Sequence, residues 1–338
     1  MNRIARASTS ERISVFTDAA AIKKIPAAMV EKDFWVCWTL EKLFTSPFLH
    51  KMLRFKGGTS LSKVFHLIQR FSEDIDLILD WRCVSDKNPL EERSKTKQDV
   101  FNKQIEADAG AYISQKLRQL VADACGELCP VTSDDEDDHV LNVAYPSVLN
   151  AGYLSPAIRL EIGPLAAWSP HEIGSLDSYV AESYPQLGMH PVLVPTICAE
   201  RTFWEKTTIL HHEHHRPETV PTPSRYSRHY YDIYMIGHSG VKGRALAQSD
   251  LLPAVVAFKK KFYPRGWAMY DQARRGTLRL LPSSTAAQAL AKDYREMRTM
   301  IFGEYPAWQS ILEYLAELEG ELNGYRRSSA RTGVGKGP

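Results

Sequence analysis

The chain has 338 residues, 44% of them hydrophobic and 24% charged, with a formal net charge of +2. It has apolar material for one large or two modest cores and the composition of an ordinary soluble globular protein. So even a balance excludes a global field as the basis for holding nucleic acid and leaves that to local clusters.

The cysteines, Cys37, Cys83, Cys125, Cys129 and Cys198, are odd in number and lack paired spacing, which argues against a disulfide framework and for a reducing compartment. Cys125 and Cys129 fit one helix face, but no second pair accompanies them to complete a zinc site. Residues 1–16 carry no apolar leader core, and no run reaches the roughly 18 apolar residues of a spanning helix. The expectation is a cytoplasmic protein with no membrane partner.

In chain order, residues 25–44 place Met29, Val30, Phe34, Val36, Cys37, Leu40 and Leu43 at helical spacing, with Pro26 suited to the first turn. Lys56-Gly57-Gly58 then leads into Thr59 and Ser60, a hydroxyl cap pair. Leu61, Val64, Phe65 and Ile68 follow at i, i+3, i+4, i+7, predicting a helix through residue 68. Residues 72–79 alternate polar and apolar, which predicts a strand. A long polar helix over 92–121, a solvated acidic loop over 133–138, and strands over 140–145 and 158–162 follow.

The prolines of 190–195 mark a boundary. Helical patterns follow at 196–210, 230–236, 251–262 and twice within 285–322, and the Gly/Arg/Ser-rich tail 326–338 reads as disordered. The expected fold is mixed α/β (α+β) and bi-lobed. Residues 1–192 form a mixed sheet with helices, residues 193–325 a mainly helical lobe, and 326–338 a tail.

Asp74 and Asp76 lie two apart in the predicted strand, so both leave the same face. Two ionised carboxylates held this close repel unless a divalent cation lies between them. Alone, such a pair is more often a pair of solvated edge-strand residues than a catalytic one. The upstream turn adds a second half: Gly57 and Gly58 let backbone approach a ligand closely, and Thr59 and Ser60 open a helix whose positive end suits a triphosphate. Together they suggest a loop for the phosphates and paired acids for Mg²⁺ or Mn²⁺, as nucleotidyl transfer from an NTP requires. Glu161, in the neighbouring strand pattern, is the candidate third carboxylate and general base, or else a solvated strand residue.

The pattern Gly57-Gly58-Thr59-Ser60 … Asp74-Ile75-Asp76 resembles the polymerase-β-type nucleotidyltransferase superfamily. More narrowly, residues 55–63 (FKGGTSLSK) with 70–77 (RFSEDIDL) resemble the AbiEii/AbiGii toxin family, the toxin halves of bacterial AbiE-type toxin–antitoxin and phage-abortive-infection systems. Glu31-Lys32-Asp33-Phe34-Trp35, Glu205-Lys206, Arg228-His229-Tyr230-Tyr231-Asp232, and Asp293-Tyr294-Arg295-Glu296-Met297 with Met300-Ile301-Phe302 resemble further motifs, the last a C-terminal helical ending. No motif is placed in 81–155.

The resemblance implies that Ser72, Asp74 and Asp76 form the metal and triphosphate centre, that Lys206 contacts the triphosphate, and that Asp232 completes the site. It also implies an antitoxin encoded alongside and, since some members add nucleotides to the 3′ end of tRNA, an RNA acceptor whose loss stops translation and growth. Read without it, Lys206 is a solvated helix residue beside Glu205, and Asp232 a cap or ion-pair partner.

Between residues 258 and 279, Lys259, Lys260, Lys261, Arg265, Arg274, Arg275 and Arg279 interleave with Phe258, Phe262, Tyr263, Trp267 and Tyr270. Such a mixture suits RNA, through phosphate contacts and base stacking, or an amphipathic helix with a basic outer face and an aromatic inner one. His211, His212, His214 and His215 are read as a loop too tightly packed to close a coordination shell, and no zinc is assigned. The rival functions are nucleotidyl transfer to a small molecule or protein, and a non-enzymatic nucleotide- or partner-binding module.

Overall fold

The computed structural model describes residues 1–72, 74–149 and 155–324, so the tail 326–338 lies outside the described residues. The chain divides into two compact units: Met1–Thr202 with Met300–Glu304, and Phe203–Thr299 with Tyr305 onward.

In the first unit, helices α1 (Asn2–Ala5), α2 (Thr9–Lys23), α3 (Ala27–Thr45) and α4 (Leu49–Met52) precede strand β1 (Leu53–Lys56). Helix α5 (Gly57–Lys63) leads to β2 (Asp74–Leu79). Helices α6 (Lys95–Tyr112) and α7 (Arg118–Cys125) are joined by a π-helical turn, Ile113–Leu117. Strands β3 (Val131–Ser133), β4 (Val140–Ala144), β5 (Ala157–Gly163) and β6 (His171–Leu176), helix α8 (Tyr179–Ser183) and strand β7 (Val192–Ile197) follow.

Among the described residues the strands make one seven-stranded mixed sheet in the order β3-β4-β5-β2-β1-β7-β6. The expected mixed α/β architecture is therefore present. Strand β2 is antiparallel to β1 and parallel to β5, which places it centrally.

One sheet face is apolar because alternate residues point the same way. Leu53 and Phe55 of β1, Ile75 and Leu77 of β2, Leu141 and Val143 of β4, and Ile158 and Leu160 of β5 are all fully buried in one cluster. The same cluster takes in α3, whose Phe34, Trp35, Trp38 and Leu40 are at most 1% exposed. Most of α3 is buried, its charged Glu31, Lys32 and Asp33 included. Helix α2 starts at a capping box: Ser8 Oγ accepts from the Glu11 amide at 3.3 Å, and the Ser8 amide donates to Glu11 Oε2 at 2.9 Å.

The helix expected through residue 68 stops at Lys63, and His66 is left-handed with φ of 52°. The apolar spacing of 61–68 reflects burial of Leu61 and Ile68 in separate local conformations. The prolines of 190–195 do not interrupt structure. Val192 and Val194 alternate into the core, making this segment a strand between β1 and β6. The period-2 burial outweighed the proline signal, since Pro195 forgoes only its own amide bond.

Helix α9 (Ala199–His214) begins in the first unit and continues into the second. The second unit also holds α10 (Ser227–Gly237), α11 (Gly240–Ala247), α12 (Leu251–Phe262), α13 (Ala287–Glu296) and α14 (Trp308–Leu322). Its core gathers Trp204, Tyr230, Tyr231, Ile311 and Leu315, with the Trp204 indole donating to the Ala245 carbonyl at 3.1 Å. Among the described residues, no helix is long and apolar enough to cross a membrane.

Candidate active site

The chain leaves β1 at Lys56 and coils at once into α5, because Gly57 takes a φ of 83° that side-chain-bearing residues rarely adopt. A β-carbon at Gly57 would lie 1.9 Å from Asp76 Oδ2 and 2.9 Å from its Cβ, so the bare turn rests directly on the Asp76 side chain. At Gly58 the added carbon would lie 2.6 Å from a terminal Arg70 nitrogen and 3.3 Å from Ser72 Oγ. The two glycines thus bring one stretch of backbone against a carboxylate, a guanidinium and a hydroxyl together.

Thr59 and Ser60 do not cap the helix, which already starts at Gly57 with Lys56 as its N-cap. Both are buried. Thr59 Oγ1 donates to the Asp74 carbonyl at 2.5 Å, and Ser60 Oγ donates to the Gly57 carbonyl at 2.9 Å. Their hydroxyls tie the turn to β2 and to itself.

Strand β2 alternates as expected: Ile75 and Leu77 face the core, and half-buried Asp74 and Asp76 share the opposite face. Asp76 is in register with Lys56 of β1 and Glu161 of β5, and Asp74 with Arg159. Glu161 therefore stands one strand spacing, about 4.8 Å, from Asp76. It is exposed, and its Oε1 lies 3.4 Å from Arg159 Nε, while Arg159 also meets Asp134 Oδ2 at 2.9 Å. Burial works against the Arg159 charge, but Asp134, Glu161 and Asp74 outweigh it and raise its pKa.

Among the described residues no three His, Cys, Asp or Glu side chains converge to hold a cation by themselves. The donor set still fits one. Mg²⁺ is commonly held by one or two carboxylates with the rest of its shell from substrate phosphates and water, and Asp74 and Asp76 are such a pair on one face.

In the second unit, Lys206 Nζ lies 2.7 Å from Asp232 Oδ2, and the two are 7% and 0% exposed. Two residues singled out separately along the chain thus meet as a buried ion pair between α9 and α10. Such a pair is expensive to desolvate and is weak as a device for stability alone.

The profile of the nucleotidyl transferase AbiEii toxin family, type IV toxin–antitoxin system, matches residues 38–315. The chain belongs to this family. It is a nucleotidyltransferase of the AbiEii type, the toxin of a type IV toxin–antitoxin system. In fold it is similar to MenT4, a nucleotidyltransferase toxin from Mycobacterium tuberculosis H37Rv, at 15% identity and a TM-score of 0.45, covering 92% of this chain and 99% of that one. No curated protein matches it.

Glu31, Lys32 and Asp33 lie upstream of the AbiEii match, and all three are buried. Glu31 accepts from the Val148 and Leu149 amides at 2.8 and 3.0 Å, and Lys32 donates to the Ser155 and Ala157 carbonyls at 2.9 and 2.7 Å. Asp33 accepts from the Tyr179 amide and meets Lys63 Nζ, each at 2.7 Å. Lys63 is the last residue of α5, so this pair holds the helix that follows the glycine turn. Burial works against the Lys63 charge, but Asp33 and its neighbours more than offset it and the pKa is raised.

Three of the four histidines are not on a loop. His211, His212 and His214 occupy the last turn of α9, and His215 follows it. His211 is fully buried; its Nε2 lies 3.1 Å from the Met269 carbonyl, and its Nδ1 accepts the Arg279 amide at 3.1 Å. Burial lowers its pKa to about 4, so it works as a neutral clamp on 269–279. Only position along α9 marks this role, and the polar look of the HHEHH run concealed it.

Of the basic-aromatic residues, Lys260, Arg265, Arg274, Arg275 and Arg279 are exposed, while Phe262 and Tyr270 are buried and Tyr263 is 47% exposed. Several cations are engaged internally: Lys259 Nζ donates to the Glu205 carbonyl at 2.8 Å, and Arg279 meets Glu319 at 3.3 Å. The segment has a basic outer face, with Phe262 and Tyr270 turned inward and Phe258 and Trp267 half-buried.

Proposed function

We propose that this toxin transfers a nucleoside monophosphate from an NTP to RNA, at the 3′ end of tRNA, in the cytoplasm, and so blocks translation. What carries the reading is the contact of Gly57 with the Asp76 carboxylate, with Asp74 on the same face of β2. Backbone open to phosphates and a pair of acids in one place is an arrangement suited to nucleotidyl transfer.

On this reading the bare Gly57-Gly58 backbone and Ser72 approach the phosphates, and Thr59 and Ser60 hold the turn in shape. Asp74 and Asp76 hold Mg²⁺ or Mn²⁺, which when bound neutralises phosphate charge. Glu161, beside Asp76, takes the proton of the acceptor hydroxyl. The family resemblance assigns Lys206 to the triphosphate, with Asp232 beside it, and supports both the tRNA acceptor and the antitoxin encoded alongside. The exposed basic face of 258–279 supports a polyanionic acceptor.

The test is incubation with each α-³²P-labelled NTP, Mg²⁺ and total bacterial RNA, beside an Asp74→Ala/Asp76→Ala control. Label of tRNA size that vanishes in the control is expected. Turnover of NTP without labelled RNA would overturn the RNA acceptor in favour of a protein or small molecule.

A further inference from the structure

The residue that the proposed mechanism leaves unused at this site is Arg70. It is only 7% exposed, and a terminal nitrogen of its guanidinium lies where a Gly58 β-carbon would be, at 2.6 Å. Ser72 Oγ reaches the same point at 3.3 Å, and the adjoining Gly57 rests on Asp76. The planar fork of a guanidinium suits two oxygens of one phosphate.

Its position is built rather than incidental. Residues 69–71 pair with the distant segment 300–302: the Phe71 amide donates to the Met300 carbonyl at 2.7 Å, and the Phe302 amide to the Gln69 carbonyl at 2.9 Å. Arg70 bridges Ile301 in antiparallel fashion, and the Phe71 and Phe302 rings meet edge to face at 6.0 Å. Gly303 packs so closely on Gln69 that a β-carbon there would meet its amide oxygen at 1.5 Å. This short extended brace fixes the backbone of 69–71, with Arg70 brought against Gly58. The motif's helical ending holds through Met300, as α13 followed by the 3₁₀ turn Met297–Met300, and the chain becomes extended at Ile301.

We propose that Arg70 is a phosphate-binding residue for the triphosphate of the NTP, held in place by the 300–303 brace. The assignment rests on the transfer reading above. Bound phosphate oxygens accept from the guanidinium fork beside the Gly57-Gly58 turn, which the guanidinium lies against. Lysine, a point charge without the fork, cannot replace it fully.

The experiment measures equilibrium binding of fluorescent NTP, NDP and NMP analogues in Mg²⁺ buffer to wild type, Arg70→Lys and Arg70→Gln, with thermal melts of each. Wild type should favour the triphosphate. Both variants should lose roughly ten- to hundredfold in NTP affinity, the span expected for a charged hydrogen bond, while NMP affinity moves less than about threefold. Arg70→Lys, which keeps the charge, guards against loss of fold in the glutamine variant. Equal losses for all three nucleotides would mean a structural role and overturn the proposal. Phosphate-dependent binding that survives in both variants overturns Arg70 alone, whereas wild type indifferent to phosphate number overturns the transfer reading with it.

Discussion

Substituting Gly57→Ala tests whether the glycine turn and the acid pair are one device. The new methyl group would meet Asp76 Oδ2 at 1.9 Å and Asp76 Cβ at 2.9 Å. Rotating the carboxylate away relieves the first contact but not the second, so the turn and the strand must separate by several tenths of an ångström or more. The φ of 83° adds strain of about 1–2 kcal/mol for a residue with a side chain. In a unit of this size that corresponds to a melting point lower by roughly 2–8 °C. A misplacement approaching 1 Å at a reacting centre costs on the order of 10²-fold in rate. Nucleotidyl transfer should therefore fall about a hundredfold or more, far beyond what the melt explains. Gly188→Ala is the matched control, since Gly188 has a φ of 60° and nothing within 4 Å of an added carbon. It should share the strain and keep its activity. Transfer by Gly57→Ala within threefold of wild type, with the protein folded, would refute the reasoning that turn and acid are in functional contact.

Lys63→Met strands the Asp33 carboxylate in the core and should cost about 3–5 kcal/mol, while adding Asp33→Asn should return a good part of it; a double variant no more stable than the single one in urea titration would contradict the buried pair. His211 sets a pH limit on the second unit. Its folded pKa of about 4 lies below the unfolded value of 6.5, so the neutral clamp is intact above pH 6.5. Stability is then lost as pH falls from there toward 4, by at most about 3 kcal/mol, and His211→Gln should flatten that slope in melts across the range. Asp74→Ala/Asp76→Ala should remove transfer with the melting point kept near wild type, since both side chains are half-buried on the polar face; collapse of the fold would mean that they serve the core instead.

What could be read without coordinates was local. Alternation of Asp74-Ile75-Asp76-Leu77 put both acids on one face because successive strand side chains point oppositely, and the apolar spacing of 25–44 announced the helix α3. The glycine pair announced a close approach of backbone to something, since no other residue permits it. Which neighbour each glycine meets was not legible: Asp76 and Arg70 are brought there by strand pairing across the chain. Nor could composition tell that Glu31, Lys32 and Asp33 are buried anchors, because charged residues in a row look solvated until their partners arrive from residues 63, 148–149, 155–157 and 179. The proline-spaced stretch ran from Val192 into a strand, and the polar His211 became a buried clamp, for the same reason. Backbone preference is written residue by residue, whereas desolvation and pairing depend on which distant groups share the space, and that is decided only when the chain closes on itself.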